Sequence, residues 1–130
     1  MTRKEQKEQL RSTIRAMAAA LSDKYKERAD RAIAAHLTAM PEYQEAGVVF
    51  CFVGTGWEID TRPILNHALQ AGKSLCVPRC EAPGVFSLRR INGLEELSEG
   101  VYGIPEPSAD AEQISPDDVD FAILPCLTCF

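Results

Sequence analysis

The chain has no long apolar run: the longest reach six residues, as in Val48 to Val53, against the roughly 20 that a membrane-spanning helix needs. It opens on Thr2, Arg3, Lys4 and Glu5 with no apolar stretch behind them, so no leader or anchor is expected and the setting expected is cytoplasmic. Histidine is scarce. Neither His36, read on the apolar side of a helix, nor His67, on the exposed side of another, has the serine or cysteine context of a catalytic dyad. There is no internal repeat, and nothing in the composition suggests disorder. The five cysteines are odd in number and mostly lie inside apolar segments, which excludes a secreted disulfide framework and leaves reduced thiols. Cys126 and Cys129 have the spacing of half a zinc site that Cys76 and Cys80 could complete, but Cys76 falls within a strand among core-like neighbours, so no metal is expected there.

What the chain does have is an ordinary soluble composition, 45% hydrophobic and 25% charged over 130 residues, enough for one domain spanning 1–130 with its own core. The net charge of −5 disfavours nucleic acid and anionic membranes as partners. That charge is uneven. Residues 1–31 carry nine Lys or Arg against five acids, and the rest carry five against fourteen.

Thr2 followed by Glu5 has capping-box spacing, and Leu10, Ile14, Met17 and Leu21 then recur at helical intervals. Ser22 can cap a second helix whose apolar side is Tyr25, Ala29, Ala32, Ile33, His36, Leu37 and Met40, stopped by Pro41. Val48 to Val53 reads as a strand buried on both faces, and Gly54 and Gly56 mark a sharp exit from it. Asp60 or Thr61 can cap a helix to Ala71 that presents Ile64, Leu65, Ala68 and Leu69 and ends at Gly72. Ser74 to Val77 is a second buried strand ended by Pro78, completing a βαβ unit. Phe86, Leu88 and Arg90 suggest an edge strand, and Leu94 and Leu97 fit one helical turn. Tyr102 to Pro107 excludes helix, Ser108 to Asp118 reads as a surface connection, and Phe121 to Leu124 is a third buried parallel strand. The class expected is α/β: a Rossmann-like three-layer sandwich with a mostly parallel sheet and an N-terminal helical hairpin. A strand apolar on both faces needs helices on both, and the sequence supplies three helices before halting at a strand's carboxyl end, so the C-terminal part is expected to be missing. The competing reading is a compact domain whose last strand sits at a covered edge.

Ligands of open α/β sheets bind beyond the carboxyl ends of the strands, which places Glu58 at a candidate site and Arg79 on the same crevice. Lys4, Lys7, Arg11 and Arg15 form a basic ridge on the first helix, either a solvated face or a phosphate clamp. Trp57 either walls a ring-binding pocket or caps the sheet edge.

Lys7-Glu8-Gln9-Leu10-Arg11 resembles the N-terminal Lys-x-x-Leu-Arg of the 5-formyltetrahydrofolate cyclo-ligase family. The order that follows is similar to that family across nearly the whole chain: Glu58-Ile59-Asp60-Thr61, Gly72-Lys73, Val77-Pro78-Arg79, Phe86-Ser87-Leu88-Arg89-Arg90-Ile91, Tyr102-Gly103-Ile104-Pro105-Glu106-Pro107 and Ile123-Leu124-Pro125. The resemblance implies ATP-dependent cyclisation of 5-formyltetrahydrofolate to 5,10-methenyltetrahydrofolate, with Lys7 and Arg11 on the ATP phosphates, Val53 and Glu58 on the folate, and Mg2+ beside the nucleotide. The partners implied are small molecules only, for a monomer. Two departures stand out: Phe86 replaces the methionine common in the folate pocket, and the glycine-rich phosphate loop with its metal-binding aspartate does not follow Pro125. Activity in this form is therefore expected to be impaired. The alternatives are a non-catalytic folate- or nucleotide-binding remnant and a sugar-phosphate or CoA-handling domain.

Overall fold

The computed structural model describes residues 1–56, 58–100 and 102–125. Its organising strand is β1 (Val48–Cys51), which pairs in parallel with β2 (Ser74–Ala82) on one side and with β7 (Phe121–Ile123) on the other. Parallel neighbours need a crossover, and α4 (Arg62–Gln70) supplies it between β1 and β2. β3 (Val85–Ile91) returns antiparallel to β2, and β6 (Gln113–Ile114) runs antiparallel to β3, giving the order β6-β3-β2-β1-β7. Only β3 therefore opposes the common direction of this five-stranded sheet. β4 (Ser98–Glu99) and β5 (Pro105–Glu106) form a separate two-stranded ladder, and the Glu106 carboxylate accepts from the Cys80 N–H at 2.6 Å where the β2–β3 register shifts.

The helix starts follow their caps. α1 (Arg3–Ala19) begins at Thr2, whose hydroxyl accepts from the Glu5 N–H at 3.1 Å, and α2 (Asp23–Thr38) begins at Ser22, whose hydroxyl accepts from the Tyr25 N–H at 3.1 Å. Pro41 opens a short third helix, α3 (Pro41–Glu45), which the sequence reading had missed by treating that proline only as a stop. α4 ends at Gly72, whose φ of +75° is the left-handed conformation that closes a helix.

Helices and sheet meet on one face. Val49, Cys51, Leu75, Val77, Ile91 and Ile123 point there and form one core with Ile64, Leu65 and Ala68 of α4, Ala34 of α2, and Tyr43 and Ala46 at α3. Ile64 and Leu65 are fully buried, each contributing about 1.5–3 kcal/mol. The opposite face is less covered: Phe50 and Leu88 are half-buried, Ala122 and Leu124 are exposed, and they line a shallow groove of about 540 Å³. Two of the expected layers, helices and sheet, are thus built by the described residues.

Several expectations need correction. In α2 the buried residue is Ala34; Tyr25, Ala32, Ile33, His36 and Met40 are exposed, so the apolar stripe was read at the wrong phase. α1 buries no residue fully, and Met17 stays 62% exposed. Pro78 does not end β2: β1 pairs with β2 only as far as Cys76, so beyond it the strand is an edge on that side and tolerates proline. β3 hides Ser87 and Ile91 and leaves Phe86 55% exposed, the reverse of the expected alternation, because its register with β2 sets Phe86 opposite Cys80 and Ile91 opposite Leu75. β3 is also not the edge, since β6, within the segment read as a surface connection, pairs outside it.

Candidate functional site

The exit from β1 is built by short side chains. Thr61, 1% exposed, donates its hydroxyl to the Phe52 carbonyl at 2.9 Å and accepts from the Gly54 N–H at 3.0 Å. It makes no side-chain cap to α4. Asp60 does that instead, accepting from the Arg62 N–H at 3.0 Å and pairing with the Arg62 guanidinium at 2.8 Å, which holds its carboxyl below the usual range. At Gly54 the chain passes so close to Ile59 that a Cβ would lie 1.8 Å from the Ile59 carbonyl oxygen. Only glycine fits that approach. The loop then reverses through Gly56, at φ +60°.

This loop aims Glu58. Its Oε1 accepts from the Thr55 N–H at 3.0 Å and from the Thr55 hydroxyl at 3.4 Å, while the Glu58 N–H returns a bond to the Thr55 carbonyl at 3.1 Å. No bond within the described residues uses Oε2. The half-buried Glu58 borders two adjoining cavities. One, of about 360 Å³, is polar on its far wall, with Lys26 and Asp30 of α2 facing Thr55 and Asp60. The other, of about 350 Å³, is apolar, between Ile14 and Ala18 of α1, Leu37 of α2, Phe52 and Ile123.

Lys7 and Arg11 are exposed on α1 and line neither cavity. They do share a face with residues that do: at about 100° per residue, Lys7, Arg11, Ile14 and Ala18 fall within an arc of about 60°. With a rise of about 1.5 Å per residue, Arg11 lies roughly 5 Å and Lys7 roughly 10 Å along the axis beyond Ile14. Val53 is 8% exposed, with its side chain in the core. Its N–H and C=O have no partner among the described residues.

Arg79 does not join this site. It sits within β2, pairs with Glu81 at 2.8 Å, and belongs to a cluster in which Arg89 also reaches Glu81 at 3.0 Å. Ser87 first, and then Arg89, hold the Glu81 carboxyl below its usual range. Cys51, Cys76 and Cys80 are buried free thiols, and burial pushes Cys51 up to about 12 and Cys76 to about 11. His67 makes a 2.7 Å bond to the hydroxyl of buried Tyr43, and neither lines the cavities that Glu58 borders. Trp57, Cys126 and Cys129 lie outside the described residues.

The sequence reading missed Thr55, Lys26 and Asp30 and gave Thr61 only a capping role. A signal for the α2 pair was present, since Lys26 and Asp30 are four apart and share a helix face. Nothing local told that face apart from a solvated one.

A solved structure of Aquifex aeolicus 5,10-methenyltetrahydrofolate synthetase superposes with a TM-score of 0.83 at 28% identity, over 93% of this chain and 61% of that one. A probable 5-formyltetrahydrofolate cyclo-ligase of Schizosaccharomyces pombe is 23% identical over 120 residues, 91% of this chain, which spans 59% of that protein's length. The model of the 5-formyltetrahydrofolate cyclo-ligase family matches residues 3–129, and the chain belongs to that family.

Proposed function

We propose that this chain serves the ATP-dependent cyclisation of 5-formyltetrahydrofolate to 5,10-methenyltetrahydrofolate. The observation that carries the proposal is the single face of α1 on which Lys7 and Arg11 continue the line of Ile14 and Ala18, which wall the cavity bordered by Glu58. One helix face thus joins a cationic pair to a carboxylate-lined pocket. In this reading Lys7 acts as a point charge and Arg11 as a planar fork on the ATP phosphates. Glu58, with Oε1 tied to Thr55, presents Oε2 to the N–H edge of the pterin, and Val53 presents its main chain.

The formyl oxygen attacks the γ-phosphorus and ADP leaves; the second folate nitrogen then attacks the activated formyl carbon and gives up its proton to the departing phosphate, and loss of that phosphate closes the ring. The chain's part is positioning and charge stabilisation rather than covalent chemistry. Magnesium does not fit the described residues as a resident ion. Asp60 is committed to Arg62 and one Glu58 oxygen to Thr55, and no group of three or more His, Cys, Asp or Glu among the described residues could hold one. It enters this reading only as the companion of ATP. We take the protein to be one domain and a cytoplasmic monomer handling small molecules, which agrees with its net charge of −5 and with the absence of a membrane-length apolar helix among the described residues.

A second reading is folate or nucleotide binding without turnover, which the cavities bordered by Glu58 would support by themselves. The test is equilibrium binding of 5-formyltetrahydrofolate and of ATP, with absorbance of the methenyl product under ATP and Mg2+. Lys7→Ala and Arg11→Ala are expected to weaken ATP about tenfold or more, as does loss of a charged hydrogen bond, and Glu58→Ala to weaken the folate alone by a similar factor. Binding without product selects the second reading. Failure to bind either ligand refutes both.

A further inference from the structure

We propose that Thr61 is a positioning residue for Glu58, a role that rests on the folate-binding reading above. The hydroxyl is 1% exposed and takes no part in capping α4, the local task a threonine at that position usually has. Both of its hydrogen bonds run to the strand exit instead: it donates to the Phe52 carbonyl at 2.9 Å and accepts from the Gly54 N–H at 3.0 Å. Those two residues flank Val53. Clamping them sets the direction in which the chain leaves β1, and therefore where Thr55 stands when its N–H holds Glu58 Oε1 at 3.0 Å.

The clamp also closes the loop from its other end. Gly54 packs against the Ile59 carbonyl, so fixing Gly54 fixes the main chain next to Glu58. A valine at position 61 has the same shape and lacks both bonds, leaving the Gly54 N–H unpartnered and the Phe52 carbonyl with only the Cys51 thiol, at 3.2 Å. A serine keeps the hydroxyl. The carboxylate is thus oriented through two relays, Thr61 to Gly54 to Ile59 and Thr61 to Gly54 to Thr55, while Oε2 has no partner among the described residues.

The experiment is a double-mutant cycle read by 5-formyltetrahydrofolate binding to the full chain, using Thr61→Val, Thr61→Ser, Glu58→Gln and the Glu58→Gln/Thr61→Val pair. Thr61→Val is expected to weaken binding about tenfold and Thr61→Ser to restore it to within about threefold. In the Glu58→Gln background Thr61→Val should cost little more, because its effect passes through the carboxylate. Unchanged binding by Thr61→Val, or full additivity of the two substitutions, overturns the role. Amide hydrogen exchange keeps the proposal testable without the ligand: faster exchange at Gly54 and Thr55 in Thr61→Val, with core amides of β1 and β2 unaffected, supports it. Unchanged protection at both amides overturns it. If the wild-type chain does not bind the folate, the functional reading fails, and the exchange measurement still decides whether Thr61 orders the Glu58 loop.

Discussion

Replacing Gly54 with alanine asks whether the β1 exit is as tight as its geometry implies. The added Cβ would sit 1.8 Å from the Ile59 carbonyl oxygen and 3.0 Å from its carbon. An ordinary carbon–oxygen contact needs roughly 3.3 Å, so one of the two backbones must shift by about 1.5 Å. No rotamer change can absorb this, because the atom struck is main chain. A shift of that size breaks the 3.0 Å bond from the Gly54 N–H to Thr61 and moves Ile59 away from the core it packs against. Overpacking typically costs about 1–3 kcal/mol and a lost buried hydrogen bond about 1 kcal/mol more, so the expected loss is about 3 kcal/mol. For a chain of this length that lowers the melting temperature by roughly 10 °C. Gly56→Ala is the internal control: its φ of +60° is unfavourable for alanine, but a Cβ there meets nothing within 4 Å, so the cost is about 1 kcal/mol. Urea denaturation followed by far-UV circular dichroism measures both. A Gly54→Ala loss no larger than that of Gly56→Ala would refute the close approach and, with it, the account of how Glu58 is held.

Three further outcomes are expected. Burial first, and then nearby Cys51, push the Tyr43 hydroxyl from 10 up to about 12, and burial pushes the Cys51 thiol from 9 up to about 12; both folded values are raised, so the stability they contribute is complete below pH of about 9 and is lost as the pH climbs towards 12. Urea midpoints should therefore fall across that alkaline window, and a flat profile would contradict the burial of both groups. Cys51 and Cys76, each fully buried, should resist iodoacetamide at about pH 8 in the folded chain and react once it is unfolded, as read by peptide mass mapping; equal labelling in both states counts against the core described here. Asp120 accepts from the Gly47 and Val48 N–H groups at 3.0 and 2.9 Å, tying the start of β1 to β7; Asp120→Ala should cost about 2 kcal/mol and Asp120→Asn less, and a loss below about 0.5 kcal/mol for the alanine would show that the contact contributes nothing.

Much of this protein follows from local rules. Thr2 and Ser22 start helices because a short side-chain oxygen satisfies an N–H that the helix leaves free, and Gly72 ends one because it accepts a positive φ. The β1–α4–β2 unit was legible because a six-residue apolar run, a glycine turn and an amphipathic helix succeed one another at the right lengths, and the place of Glu58 in the loop beyond β1 follows from the same order. Pairing partners decided the rest. Which side of β3 is buried depends on its register with β2, and for that reason Ser87 and Ile91 are hidden while Phe86 stays exposed. Arg79 was read towards the crevice from its place after a strand, but β2 continues past it and Glu81 captures it. Thr61 shows the limit most plainly: chain position makes it a helix cap, and only the return of α4 against the end of β1 brings its hydroxyl within reach of Phe52 and Gly54, nine and seven residues away. Periodicity and capping act between near neighbours and are written in the sequence, whereas register, ion-pair choice and the aim of a loop depend on contacts between distant segments and exist only once the chain has folded.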